Sequence, residues 1–101
     1  MNMAEEEKKN RLEIEYCTGC RWLMRAAWMA QEFLTTFQES LHEVALQPGK
    51  GGVYEIRLNG ATLFSRKEHG GFRDIKELKQ LIRDGIDPEM SLGHSDKKTG
   101  Q

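Results

Sequence analysis

Between Leu12 and Leu41 the hydrophobic period changes once, from two residues to about 3.6. The change falls on Tyr16-Cys17-Thr18-Gly19-Cys20-Arg21-Trp22, which holds both cysteines of the chain. Ahead of it Leu12, Ile14 and Tyr16 alternate with Glu13 and Glu15, the pattern of a strand with one solvated face. Behind it, from about Thr18 to Leu41, residues Trp22, Leu23, Ala26, Ala27, Met29, Ala30, Phe33, Leu34, Phe37 and Leu41 fill one broad side of a helix, and that side calls for burial. A strand running straight into a long amphipathic helix must lay that helix back on a sheet, so the chain is constrained to a layered α/β fold.

The rest of the chain completes the sheet. Val44, Ala45 and Leu46 read as a short second strand stopped by Pro48 and the loop Gly49-Lys50-Gly51-Gly52. Tyr54, Ile56 and Leu58 alternate with Glu55 and Arg57, and Asn59-Gly60 turns that strand into a fourth over Ala61 to Arg66. Asp74 reads as the N-cap of a last helix with the stripe Ile75, Leu78, Leu81 and Ile82, ended by Asp87-Pro88. The order β-α-β-β-β-α predicts a two-layer sandwich with a mixed four-stranded sheet and both helices on one face. The other face is expected to stay uncovered, with Arg57 among Glu13, Glu15 and Glu55. Residues 1–10 read as a charged, disordered lead-in, 11–87 as one domain and 88–101 as a flexible tail.

A Cys-x-x-Cys at a strand-to-helix junction puts both thiols on the first helical turn, beside unpaired backbone N–H groups, where thiolate is favoured. The first reading is therefore a redox pair cycling between dithiol and disulfide. A zinc half-site needs two further ligands from His42, His69 and His94, none of which forms a second pair at ligand spacing, so no metal is expected. Arg21, next to the motif, and Lys50, in the facing loop, are candidates to stabilise a thiolate, giving an expected thiol pKa below the free value of about 8.5. Tyr16, Thr18, Gly19 and Trp22 flank the thiols. A Ser/His/Asp or paired-carboxylate site has no supporting sequence context.

Fifteen basic against sixteen acidic residues leave a net charge of −1, so no nucleic-acid partner is expected unless charge is unevenly placed. No apolar run reaches spanning length and the N-terminus lacks a signal-peptide core, which predicts a cytoplasmic protein without a membrane partner.

Tyr-Cys-x-x-Cys after the first strand, then Gly-Gly-Val-Tyr-Glu-Ile, then Asn-Gly followed by Leu-Phe-Ser-Arg-Lys and Gly-Gly-Phe resembles the selenoprotein W-like proteins of the Rdx group, in the SelT/SelW/SelH family, and within it the bacterial members with cysteine for selenocysteine. The resemblance covers residues 12 to about 86. It implies a thioredoxin-like fold, Cys17 and Cys20 as the redox centre, no separate cofactor, and exchange with glutathione or a protein thiol. Selenium-containing relatives place selenocysteine at the position of Cys20, whereas thioredoxins attack with the position of Cys17, so the nucleophile is open. In place of the thioredoxin cis-proline the resemblance points to the Gly51-Gly52 backbone.

The alternative is a binding adaptor whose partner affinity is switched by the same two cysteines without turnover. Met24 and Trp28 fall together on the outer side of the first helix and mark a possible partner surface, in a monomer or weak homodimer. The competing reading of that pair is that Met90 or Leu92 of the tail folds back over it.

Overall fold

The computed structural model describes residues 10–93. Four strands, β1 (Asn10–Cys17), β2 (Leu41–Gly49), β3 (Tyr54–Leu58) and β4 (Ala61–Ser65), form one sheet in the order β2-β1-β3-β4. The β1–β2 pair is parallel, joined through helix α1 (Leu23–Thr36); β1–β3 and β3–β4 are antiparallel. A four-residue helix α2 (Arg66–His69) and the closing helix α3 (Ile75–Ile86) follow.

The alternation read from the sequence sets the two faces. Leu12, Ile14, Tyr16, Tyr54, Ile56, Leu58 and Phe64 are buried with Ala26, Met29, Ala30 and Phe33 of α1 and Leu78 and Ile82 of α3. Both long helices thus bury their stripes in the core that also takes the apolar sheet face. On the opposite face Arg57 bonds Glu13 (2.9 Å), Glu55 (3.0 Å), Glu15 (3.2 Å) and Gln47 (2.7 Å), as expected for a face that no helix covers. The Arg57 guanidinium, and after it that of Arg11, hold the Glu13 carboxyl below the usual glutamate range.

Several boundaries differ from the sequence reading, each for a physical reason. β2 runs nine residues and includes Pro48, paired with Tyr16. β2 is an edge strand, and a proline without an N–H costs nothing where that N–H would face solvent. Helix α1 is shorter than 18–41: the chain turns at Thr18–Arg21 before it and at Phe37–Ser40 after it, and Leu41 starts β2. Leu23 and Leu34 are exposed rather than buried, because the buried stripe is a narrow one centred on Ala26, Met29, Ala30 and Phe33. β4 ends at Ser65, whose hydroxyl accepts from the Glu68 amide and starts α2, an element the sequence reading took as strand and loop. Asp74 caps α3 through the Lys76 amide, as expected.

Residues 1–9 of the expected lead-in and 94–101 of the expected tail lie outside the described residues. Between them and the domain, Asn10 opens β1, and Met90 and Leu92 pack against the core, with the Met90 carbonyl accepting from Arg83 Nη1 at 2.9 Å.

Candidate functional site

Cys17 closes β1 opposite Gly49 of β2, and Thr18 fastens the start of the next turn by donating both its N–H (3.0 Å) and its hydroxyl (3.2 Å) to the Gly49 carbonyl. The Arg21 amide donates back to Thr18 O at 3.0 Å, and Arg21 takes the left-handed region at φ 62°. Cys20 therefore sits in a tight turn three residues ahead of Leu23, not on the first turn of α1. Cys17 is buried, 3% exposed, whereas Cys20 is exposed; both are free thiols.

The two thiols shift one another in opposite directions. Cys17 is pushed below the ordinary thiol value first by the Cys20 S–H it accepts, against the opposing effect of burial, and then by the backbone amides of Gly52, Cys20 and Gly19. Cys20, the donor, is pushed up by the same bond, by burial and by the nearby Cys17 charge. A lowered thiolate is thus present, as the sequence reading expected, but it belongs to Cys17, and the adjoining thiol and backbone amides cause it.

Gly51 and Gly52, at φ 70° and 78°, place the loop after β2 against the motif, and the Gly52 amide reaches both sulfurs. This is the neighbourhood expected of that loop. The cation whose charge reaches Cys20 is Arg66 at the start of α2, rather than the anticipated Arg21 or Lys50, both of which are exposed. Arg66 was missed because nothing in the local sequence ties the end of β4 to the motif; the tie is the Glu55–Ser65 pairing, which brings Arg66 to the same sheet end.

Trp22, half-buried, meets Tyr54 and Phe72 edge-on at 6.0 and 5.1 Å between centroids, and Tyr54 meets Phe72 at 5.0 Å. In the sequence Phe72 stands out only within Gly-Gly-Phe; in the fold it completes an aromatic triad beside the redox turn. Arg25 stacks over Phe72 at 4.0 Å and Arg66 over Trp22 at 4.9 Å. Tyr16 is a core residue rather than part of the site surface. Met24 and Trp28 stay on the outer side of α1, 83% and 47% exposed, so the packing of Met90 and Leu92 on the core leaves them open. His42 lies at the other end of the sheet, its Nδ1 2.9 Å from Asn10 O, and His69 stands against Phe64; His94 is outside the described residues.

A model of the Rdx family matches residues 11–84. A solved structure from Bordetella parapertussis is 58% identical, with 75% of this chain and 96% of that one covered and a TM-score of 0.73. A selenoprotein W-related protein from Vibrio cholerae is 49% identical over 79% of this chain and all of its own, with a TM-score of 0.76. Migration and invasion enhancer 1 of Bos taurus is 33% identical over 73 residues, which are 72% of this chain and 62% of that protein. The chain thus spans less than two thirds of the length of the curated relatives it matches. The two-layer architecture is the thioredoxin-like one of its selenoprotein W-related neighbours.

Proposed function

The chain belongs to the Rdx family, and from that premise we propose that it is a thiol–disulfide exchange protein in which Cys20 attacks and Cys17 resolves. The observation that carries the assignment is the difference in access: only the Cys20 sulfur is open to a partner, while Cys17 is 3% exposed. Attack requires thiolate on the open sulfur. The bond to Cys17 holds the proton on Cys20, so attack draws on the minor state in which Cys20 is the thiolate, a state that the Gly52 amide and the Arg66 charge favour.

The Cys20 thiolate then displaces one sulfur of a partner disulfide. An S–S bond forms to Cys20, the partner S–S bond breaks, and the leaving thiolate takes up a proton. Cys17, losing its proton, attacks the Cys20 sulfur of that mixed disulfide and expels the second partner thiol. The protein ends as the Cys17–Cys20 disulfide, oxidised by two electrons, and the partner as two thiols; the reverse sequence reduces the protein. A reducing compartment such as the cytoplasm, with glutathione or a protein thiol as the exchanging species, suits a pair that must return to the dithiol. No helix among the described residues is long and apolar enough to cross a membrane.

The test is trapping. Cys17→Ser should accumulate mixed disulfides through Cys20, resolved by mass spectrometry, and Cys20→Ser should not. Accumulation by Cys20→Ser alone would reverse the roles. Partners captured non-covalently by both variants, with no adduct in either, would replace exchange by a redox-switched adaptor.

A further inference from the structure

The charges of this chain nearly cancel, yet they are not mixed. On the uncovered sheet face Glu13, Glu15 and Glu55 all pair with Arg57, and near the start of β1 Arg11 pairs with Glu13 and Glu43. On the helices Lys79 pairs with Glu32, Arg73 with Glu77 and Arg83 with Asp84. Around the redox turn the pattern stops. Arg21 adjoins Cys20, Arg66 bears on its sulfur, Arg25 and Arg66 stack on the aromatic triad, and the Lys67 ammonium comes up to the Gly51-Gly52 loop. None of these four has a carboxylate partner among the described residues. The Arg66 Nε is buried without any acceptor.

We infer that this cationic rim is the recognition surface for the exchange partner, and that the partner is a polypeptide whose reactive cysteine is flanked by acidic side chains. The inference rests on the exchange reading above and adds its substrate class. Three physical points carry it. Arg25 and Arg66, held over Phe72 and Trp22, pair with no carboxylate among the described residues, so N–H groups of both remain to donate to one. Leaving four cations unpaired beside one another raises the energy of the free protein, a cost that a complementary anion removes. The cations also span the motif turn, the end of β4 and the first turn of α1, a spread that suits several carboxylates along a chain better than a single small anion.

The test is stopped-flow exchange of the reduced full-length protein with two synthetic disulfide peptides that differ only in having Glu or Lys on both sides of the cysteine. A neutral disulfide, hydroxyethyl disulfide, and oxidised glutathione run in parallel. At low ionic strength the Glu peptide should react about tenfold faster than the Lys peptide, and the ratio should fall toward one as salt rises, as for electrostatically steered encounters. Arg66→Gln should reduce the ratio and Arg66→Lys should restore it. If Arg66→Gln fails to fold, the salt titration of the wild-type ratio decides alone. Equal rates for the two peptides, or a faster Lys peptide, would overturn the inference while exchange itself stood. Oxidised glutathione as fast as the Glu peptide would also overturn it, in favour of a small anion. Loss of reaction with every probe, the neutral one included, would instead count against the exchange reading.

Discussion

Replacing Tyr54 by Phe isolates the polar atom at the centre of the core beneath the redox turn. The Tyr54 side chain is 0% exposed, and its hydroxyl donates to Met29 Sδ at 3.2 Å. A thioether is a weak acceptor, so the bond returns less than the net contribution of about 0.5–1.5 kcal/mol usual for a hydrogen bond, while burying a hydroxyl with a poor partner costs about 1–3 kcal/mol. Removing the hydroxyl abolishes both effects and preserves the ring, its edge-on contacts with Trp22 and Phe72, and the volume of the core. Tyr54→Phe should thus lie within about 1 kcal/mol of the wild type near neutral pH, with gain as acceptable as loss. Tyr54→Ala, which opens a ring-sized cavity and deletes two aromatic contacts, should cost about 3–5 kcal/mol. Urea unfolding followed by far-ultraviolet circular dichroism measures both without relying on Trp22 fluorescence, which the substitution perturbs. The pH profile provides a second reading. Burial pushes the Tyr54 pKa far above its ordinary value, so Tyr54 stabilises the fold below the unfolded tyrosine pKa of about 10 only by staying neutral, and that stability is lost as pH rises further. The Phe variant, which has no proton to lose, should overtake the wild type above about pH 10. A Tyr54→Phe cost above about 2 kcal/mol at pH 7 would refute the reasoning, because it would require the sulfur to accept a bond of full strength.

Alkylation of the reduced protein should fall on Cys20 first and on Cys17 at least about tenfold more slowly, by peptide mass mapping, because Cys17 is buried; comparable rates would mean that the turn opens readily. Cys17→Ala should bring the Cys20 pKa down toward that of a free thiol, read from the pH dependence of alkylation, because the acceptor that raises it is gone; an unchanged value would assign the rise to burial. Arg57→Met should weaken the fold at pH 7 and progressively less below about pH 4. The lowered Glu13 pKa makes its contribution fully present above the ordinary value near 4.3 and lost as pH falls through the folded value. An equal deficit at pH 7 and pH 3 in urea titrations would show that Arg57 acts through packing instead. Gly85→Ala should fail to deliver the roughly 1 kcal/mol that helix propensity would give, because the added methyl stands 2.8 Å from Leu58 Cδ2.

What the sequence revealed was whatever depends on neighbours in the chain. The alternation of Leu12, Ile14 and Tyr16 with Glu13 and Glu15, the Asn59-Gly60 turn and the Asp74 cap are local patterns, and they were enough for strand pairing, faces and the start of the last helix. The extent of β2 was hidden because the tolerance of Pro48 depends on being at a sheet edge, which is a property of the assembled sheet. The ends of α1 were hidden for a related reason: Thr18 is held by the Gly49 carbonyl, a residue far along the chain, and that bond keeps the motif in a turn when its composition would allow a helix. Consequently the backbone amides that lower Cys17 belong to the motif turn and the facing loop rather than to a helix end, and the charge that reaches Cys20 is that of Arg66.

The same argument explains why the site forms where it does. β1 and β2 are parallel, so both finish at one edge of the sheet, at Cys17 and Gly49. β3 is antiparallel to β1 and so starts there, with Tyr54 opposite Tyr16, and β4, reversing again, finishes there at Ser65 opposite Glu55. Three strand exits and one entry deliver, in a single region, the motif turn, the Gly51-Gly52 amides, the Tyr54 ring and the Arg66 charge. An open α/β sheet binds its ligands outside the carboxyl ends of its parallel strands, where loops alone set the chemistry. In this chain that edge carries unpaired cations, while the acids of the same strands point to the uncovered face, bound to Arg57. Register is what keeps the two apart: shifting the β1–β3 pairing by one residue would turn Glu13 and Glu15 into the core. Charge segregation and thiol placement are therefore two outcomes of one register, set by the apolar alternation of β1.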